Sequence, residues 1–170
     1  MMDTSSKTAH DRHLRLKDLY LEELLRQEQN RKDRVKWVRY YENEQFTPEQ
    51  KAKLAARGQS PVSYNALKPV IDWLKGTERR GRIDFTVAPR RDDKQARESA
   101  QAKQELMKWL DYTNQAGFER SLATDQAFIT GLGGLEVAVR QDKQGPKVIA
   151  VAEDWRNIVH DSRAINRDGD

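Results

Sequence analysis

The segment from Ser63 to Asp93 constrains this chain most, because it holds a closely spaced series of structural signals. Asn65 can cap a helix, and Leu67, Val70, Ile71 and Leu74 recur at helical spacing, with Pro69 in the first turn and Gly76 positioned to end the pattern. The reading predicts a helix over about Ala66 to Lys75. A basic turn, Thr77 to Arg82, leads to Ile83, Phe85 and Val87 alternating with Asp84, Thr86 and Ala88, the period of a half-buried strand that Pro89 closes. The rest of the chain is expected to pack on this segment.

Residues 1–10 are polar and without period, which suggests a mobile arm. From Asp11 to about Tyr41, Leu14, Leu19, Leu24, Leu25, Val35, Trp37, Val38 and Tyr41 draw a narrow apolar stripe along one long, densely charged helix. Such a stripe needs a neighbour, either the same domain or another subunit, and Leu19, Leu24 and Leu25 are the candidate subunit contacts. The aromatic end around Trp37 is expected to dock beside the helix Leu67 to Leu74. Thr47, Pro48, Glu49 and Gln50 form a helix start, and Gly58 stops that helix.

Beyond the central segment, Asp92 or Asp93 can cap a helix running to about Asn114, with Gly117 as its break. A further helix from Phe118 places Phe118, Leu122, Asp125 and Ile129 on one face, and Gly131, Gly133 and Gly134 end it. Leu135, Val137 and Val139, then Val148, Ala150 and Ala152, alternate as a β-hairpin with a loop, Gln141 to Pro146, longer than two residues. The fold class is α+β: several helices packed on a small, mostly antiparallel sheet. It divides into an arm (1–10), N-terminal helices (11–60), an α/β domain (61–165) and a closing loop (166–170).

The chemistry is sparse. The 170 residues include no cysteine, which excludes disulfides and thiolate metal sites, and no apolar run suits a membrane span. The Gly131–Gly134 run follows a helix and opens a strand, the reverse of a phosphate-cradling loop, so it reads as a helix stop. His10 and His13 stand three apart near a partner-poor terminus, and no metal or other cofactor is assigned. Asp125 on an apolar face calls for an internal partner such as an arginine, and no second carboxylate, nucleophile or base accompanies it. No catalytic residue is assigned and an enzyme is not expected.

The net charge of +4 hides a basic middle: seven cations against three acids between residues 61 and 91. Arg79, Arg80, Arg82, Arg90 and Arg91 bracket the expected strand. They could contact nucleic-acid phosphates, or they could form a solvated turn or bridge to acidic residues of an adjacent subunit. No aromatics are interleaved, which argues against stacking on single strands.

Taken together, several motifs in fixed order resemble the N-terminal part of the P22-like portal proteins of tailed bacteriophages. They are YYENEQFTPEQKAKLAARGQSP (Tyr40 to Pro61), the Asn-led helix Asn65 to Gly76, the strand Phe85 to Pro89, Asp92 to Leu110, FITGLGGLEV (Phe128 to Val137) and AEDWRNIVHDSRA (Ala152 to Ala164). The resemblance implies a structural subunit of a ring, commonly of twelve copies, at one capsid vertex of the virion, assembled in the host bacterial cytoplasm. Double-stranded DNA would pass through its channel during terminase-driven packaging and again at ejection. It further implies capsid, scaffolding, terminase and tail-adaptor partners, no membrane, and a wing-type domain whose stem, clip and crown lie in later sequence. A free-standing nucleic-acid-binding or adaptor module without enzymatic activity is the alternative.

Overall fold

The computed structural model describes residues 4–81, 85–143 and 145–163. Six helices precede one hairpin: α1 (Thr4–Arg26), α2 (Glu28–Tyr41), α3 (Pro48–Ala56), α4 (Leu67–Arg80), α5 (Lys94–Thr113), α6 (Ala116–Thr130), β1 (Gly134–Asp142) and β2 (Gly145–Glu153). The α+β class stands, but the hub is α6. It touches α2, α4, α5, β1 and β2, whereas the principal helix contact of α1 is with α2. Close approach explains this choice: α6 buries Ser121, Ala123 and Thr130, small side chains that let neighbouring backbones come near. The 63–93 segment packs on that hub rather than forming it.

The N-terminal helix begins at Thr4, so residues 4–10 continue α1 instead of forming a separate arm. It also divides at Gln27, where the backbone turns to φ −89 and ψ 1. Hydrogen bonds from Gln27 N to Glu23 O (3.0 Å) and from Arg31 N to Gln27 O (2.9 Å) flank the break. α3 starts on the expected capping box, with Thr47 accepting from Gln50 N and Gln50 accepting from Thr47 N. Gly58, at φ 69, follows its end.

Asn65 caps α4 as the sequence suggests, its Oδ1 accepting from Leu67 N (3.2 Å) and Lys68 N (3.1 Å). The helix does not stop at Gly76, however; it runs on to Arg80 and ends at Gly81. Glycine inside a helix costs about 1 kcal/mol. The turn beyond it is held by α6, through Ser121 donating to Glu78 (3.0 Å) and Arg79 donating to Asp125 (2.8 Å).

Arg82, Ile83 and Asp84 lie outside the described residues. Over 85–89 there is no ladder with another strand among the described residues. The Gln104 amide takes that place, donating to Phe85 O (2.9 Å) and accepting from Val87 N (2.6 Å). Asp93 caps α5 through Ala96 N (2.7 Å). The break after α5 falls at Gln115, which adopts φ 50, while Gly117 sits inside the first turn of α6. Gly131 (φ 73) ends α6, and a Cβ at Gly133 would stand 1.9 Å from the Ala123 carbonyl oxygen, so the glycine run is a tight helix stop.

The hairpin register pairs Leu135 with Ala152, Val137 with Ala150 and Val139 with Val148, which puts the expected apolar set on one face. Pairing continues to Asp142 and Gly145, leaving two positions between the strands, shorter than the expected loop. Its base is tied to α6 by Ala152 N donating to Glu119 (2.8 Å) and Trp155 N donating to Gln126 (2.9 Å). Farther out, Val137 and Val139 are 67% and 68% exposed. A two-stranded ribbon is marginal alone.

The whole chain exposes 14042 Å². A compact monomer of this mass would expose about 8,600 Å². The difference amounts to several interface halves at roughly 800 Å² each.

Candidate functional site

Asp125 on α6 has a side chain only 15% exposed, and its surroundings decide whether it can do chemistry. Arg79 donates to its Oδ2 at 2.8 Å, and Lys75 Nζ stands 3.9 Å from the same oxygen. Lys75 also donates to the Tyr41 hydroxyl (3.0 Å), which donates to Asp72 (2.5 Å). Lys68 and Lys75 lie 4.2 and 4.5 Å from the centre of the Tyr41 ring. The network ties α2, α4 and α6 together and makes Asp125 a structural counter-ion, the internal arginine contact that its position called for. Tyr41 meets α4, so the aromatic end of α2 docks beside that helix as expected. A Cβ on Gly131 would lie 3.8 Å from the Trp37 ring, which places Trp37 over the end of α6.

The same contact neutralises Arg79 within the candidate basic patch, although its side chain stays 52% exposed. Arg80 ends α4, while Arg90 and Arg91 lie in the bend before α5. These three are exposed and form no ion pair among the described residues, whereas Arg82 is outside them. They form the part of the five-arginine set that could meet an external anion.

The candidate contacts on α1 also separate. Leu19 is exposed and Leu25 is 73% exposed, while Leu24 turns into a groove of its own chain beside Val35 and Trp155. The polar side of α1 and α2 binds residues 156–163, a strap with turns at 155–157 and 162–163. Arg31 donates to the carbonyls of Arg156 and Ile158, and Gln27 donates to His160 O (2.6 Å). Glu23 accepts from Ser162 N (3.2 Å), and Arg163 pairs with Glu22 at 2.6 Å. One helical turn advances about 5.4 Å and two extended residues about 6.6 Å, so Glu23, Gln27 and Arg31 can meet alternate strap residues.

Electrostatics follow from this docking. The hydrogen bond from the Ser162 side chain, then its backbone N–H, the Gln27 bond and Arg26, outweigh burial and hold the Glu23 carboxyl below its ordinary value. Lys32 does the same for Glu28, by hydrogen bond and charge. Burial, followed by the charge of Arg31, pulls the Arg34 guanidinium down, and its Nη1 has no partner.

The sequence reading missed the strap. Its signal is the spacing of Glu23, Gln27 and Arg31, four apart on one face, within a helix that otherwise reads as solvated. It missed Gln104 as well, since nothing local marks a glutamine that substitutes for a strand.

No three His, Asp or Glu side chains among the described residues could hold a metal ion, and no described helix is long and apolar enough to cross a membrane. What the described residues display is a small hub with several large apolar side chains left exposed. The family described as phage P22-like portal protein matches residues 17–170, and the chain belongs to that family. No curated protein matches it.

Proposed function

We propose that this chain is the N-terminal wing region of a portal subunit that forms a ring at one capsid vertex. In this reading double-stranded DNA passes through the ring during terminase-driven packaging and again at ejection. The observation that carries the reading is the family match over 17–170. The large exposed surface supports it, because a ring subunit meets a neighbour on each side. Capsid and scaffolding proteins, the terminase and tail adaptors are the proposed further partners. Leu19 and Leu25 belong to the proposed subunit surface, and Arg80, Arg90 and Arg91 are proposed contacts to a neighbouring subunit or to DNA.

Electron microscopy of the full-length protein tests this. Closed rings with a central hole are expected; monomers or open filaments at every concentration would contradict it. Charge reversal at Arg80, Arg90 and Arg91 then separates the two arginine roles. Lost rings indicate a subunit contact, whereas intact rings with weaker, less salt-dependent DNA binding indicate phosphate contact.

A further inference from the structure

The open groove at the junction of α1 and α2 is lined by Leu24, Val35 and Trp155 and has a volume of about 470 Å³. Its rim carries Arg31, Lys32, Arg156 and Glu28; Lys32 pairs with Glu28 (2.6 Å) and Arg156 with Asp154 (2.9 Å), which leaves Arg31 as the rim cation without an acidic partner among the described residues. Leu14, Leu21 and Leu25, spaced i, i+7 and i+11, extend the apolar surface along α1, about 180° from the strap-binding Glu23 at 100° per residue. All three leucines are exposed. Strap and groove meet at Arg31 and Arg156, while these three leucines lie on the side of α1 away from the strap.

The same chain carries a surface of opposite character. On α5, Trp109 is 59% exposed and Tyr112 is 85% exposed, three residues apart, and Glu105 stands one turn before Trp109. Glu105 bonds only to the neutral Gln101 amide (3.2 Å) and has no ion pair among the described residues. Exposed aromatics beside an unpaired acid are the complement of an apolar groove whose rim holds a cation without an acidic partner.

We propose that the α1–α2 groove of one copy receives the Glu105–Trp109–Tyr112 face of α5 from a second copy. The indole fills the space over Leu24, Val35 and Trp155, and Glu105 meets Arg31. Groove and ridge are different surfaces of one chain, so the contact is heterologous and can propagate around a ring. The exposed leucines of α1 on one side and the two aromatics on the other offer roughly 300 Å² of apolar surface each, part of the roughly 800 Å² per partner in a standard interface. This contact rests on the portal reading for its second copy.

The test uses the full-length protein, and the absence of cysteine from this chain leaves it free of background here. Lys32→Cys with Glu105→Cys, oxidised as rings, is expected to give a ladder of covalent multimers, while each single variant stops at dimers. Trp109→Ala is expected to keep the fold by circular dichroism and to lower ring yield by more than about tenfold. Rings from the double-cysteine protein without a ladder, or Trp109→Ala rings at normal yield, would overturn the contact and leave the portal reading intact. If the unmodified protein forms no rings, the portal reading falls and the contact falls with it.

Discussion

α6 and α1 use their residues in opposite ways. α6 is surrounded, and its most buried positions are Ser121, Ala123 and Thr130, none of them large or strongly apolar. α1 is richer in leucine, yet Leu14, Leu16, Leu19, Leu21 and Leu25 are all exposed. In an isolated globular domain the assignment would be reversed. Burial at the hub is set by how closely backbones approach, while most of the leucines of α1 face outward among the described residues.

The largest effect that could break this contrast is expected at the hub's rim. Trp155 is 5% exposed and joins the hairpin base to α2 and α6, so Trp155→Ala should cost about 3–5 kcal/mol in denaturant unfolding. A cost near zero would show that the hub does not depend on this docking. Asp125→Ala should cost about 2 kcal/mol, less than a fully buried pair because Arg79 is half exposed, and Arg79→Ala should cost less than Asp125→Ala because Lys75 remains. Asn65→Ala should cost about 1 kcal/mol by removing the α4 cap.

The strap yields a pH prediction. Because the folded Glu23 carboxyl lies below its ordinary value, its contribution is complete above the unfolded value of 4.5 and is lost as pH falls through the folded value. Between pH 7 and pH 4 the wild type should lose more thermal stability than Glu23→Gln does; equal losses would remove Glu23 from the strap's hold. The smallest effect is expected on the open side of α1, where Leu14→Ser with Leu21→Ser should leave monomer stability within about 0.5 kcal/mol while impairing assembly.

Local signals were legible where the chain punctuates itself. The Asn65, Thr47 and Asp93 caps, the Gly58 and Gly131 stops and the hairpin face all follow from residue type and spacing. Gly76 and Gly117 misled because a glycine breaks a helix only when nothing beyond it is held. Here Glu78 and Arg79 are bonded to α6, and the positive φ falls on Gln115. Of the candidate site, the Asp125 pairing was readable from a carboxylate on an apolar face. The neutralisation of Arg79 within the basic set, the inward turn of Leu24 and the strap depend on tertiary contacts between residues up to 141 apart in sequence.

The central claim is that the outward face of α1 is completed by a neighbouring copy. Amide hydrogen exchange on the full-length protein, assembled and dissociated, tests it most directly. Residues 8–26 are expected to gain strong protection on assembly while α6 stays equally protected in both states. Equal exchange of α1 in rings and in dissociated subunits would contradict it.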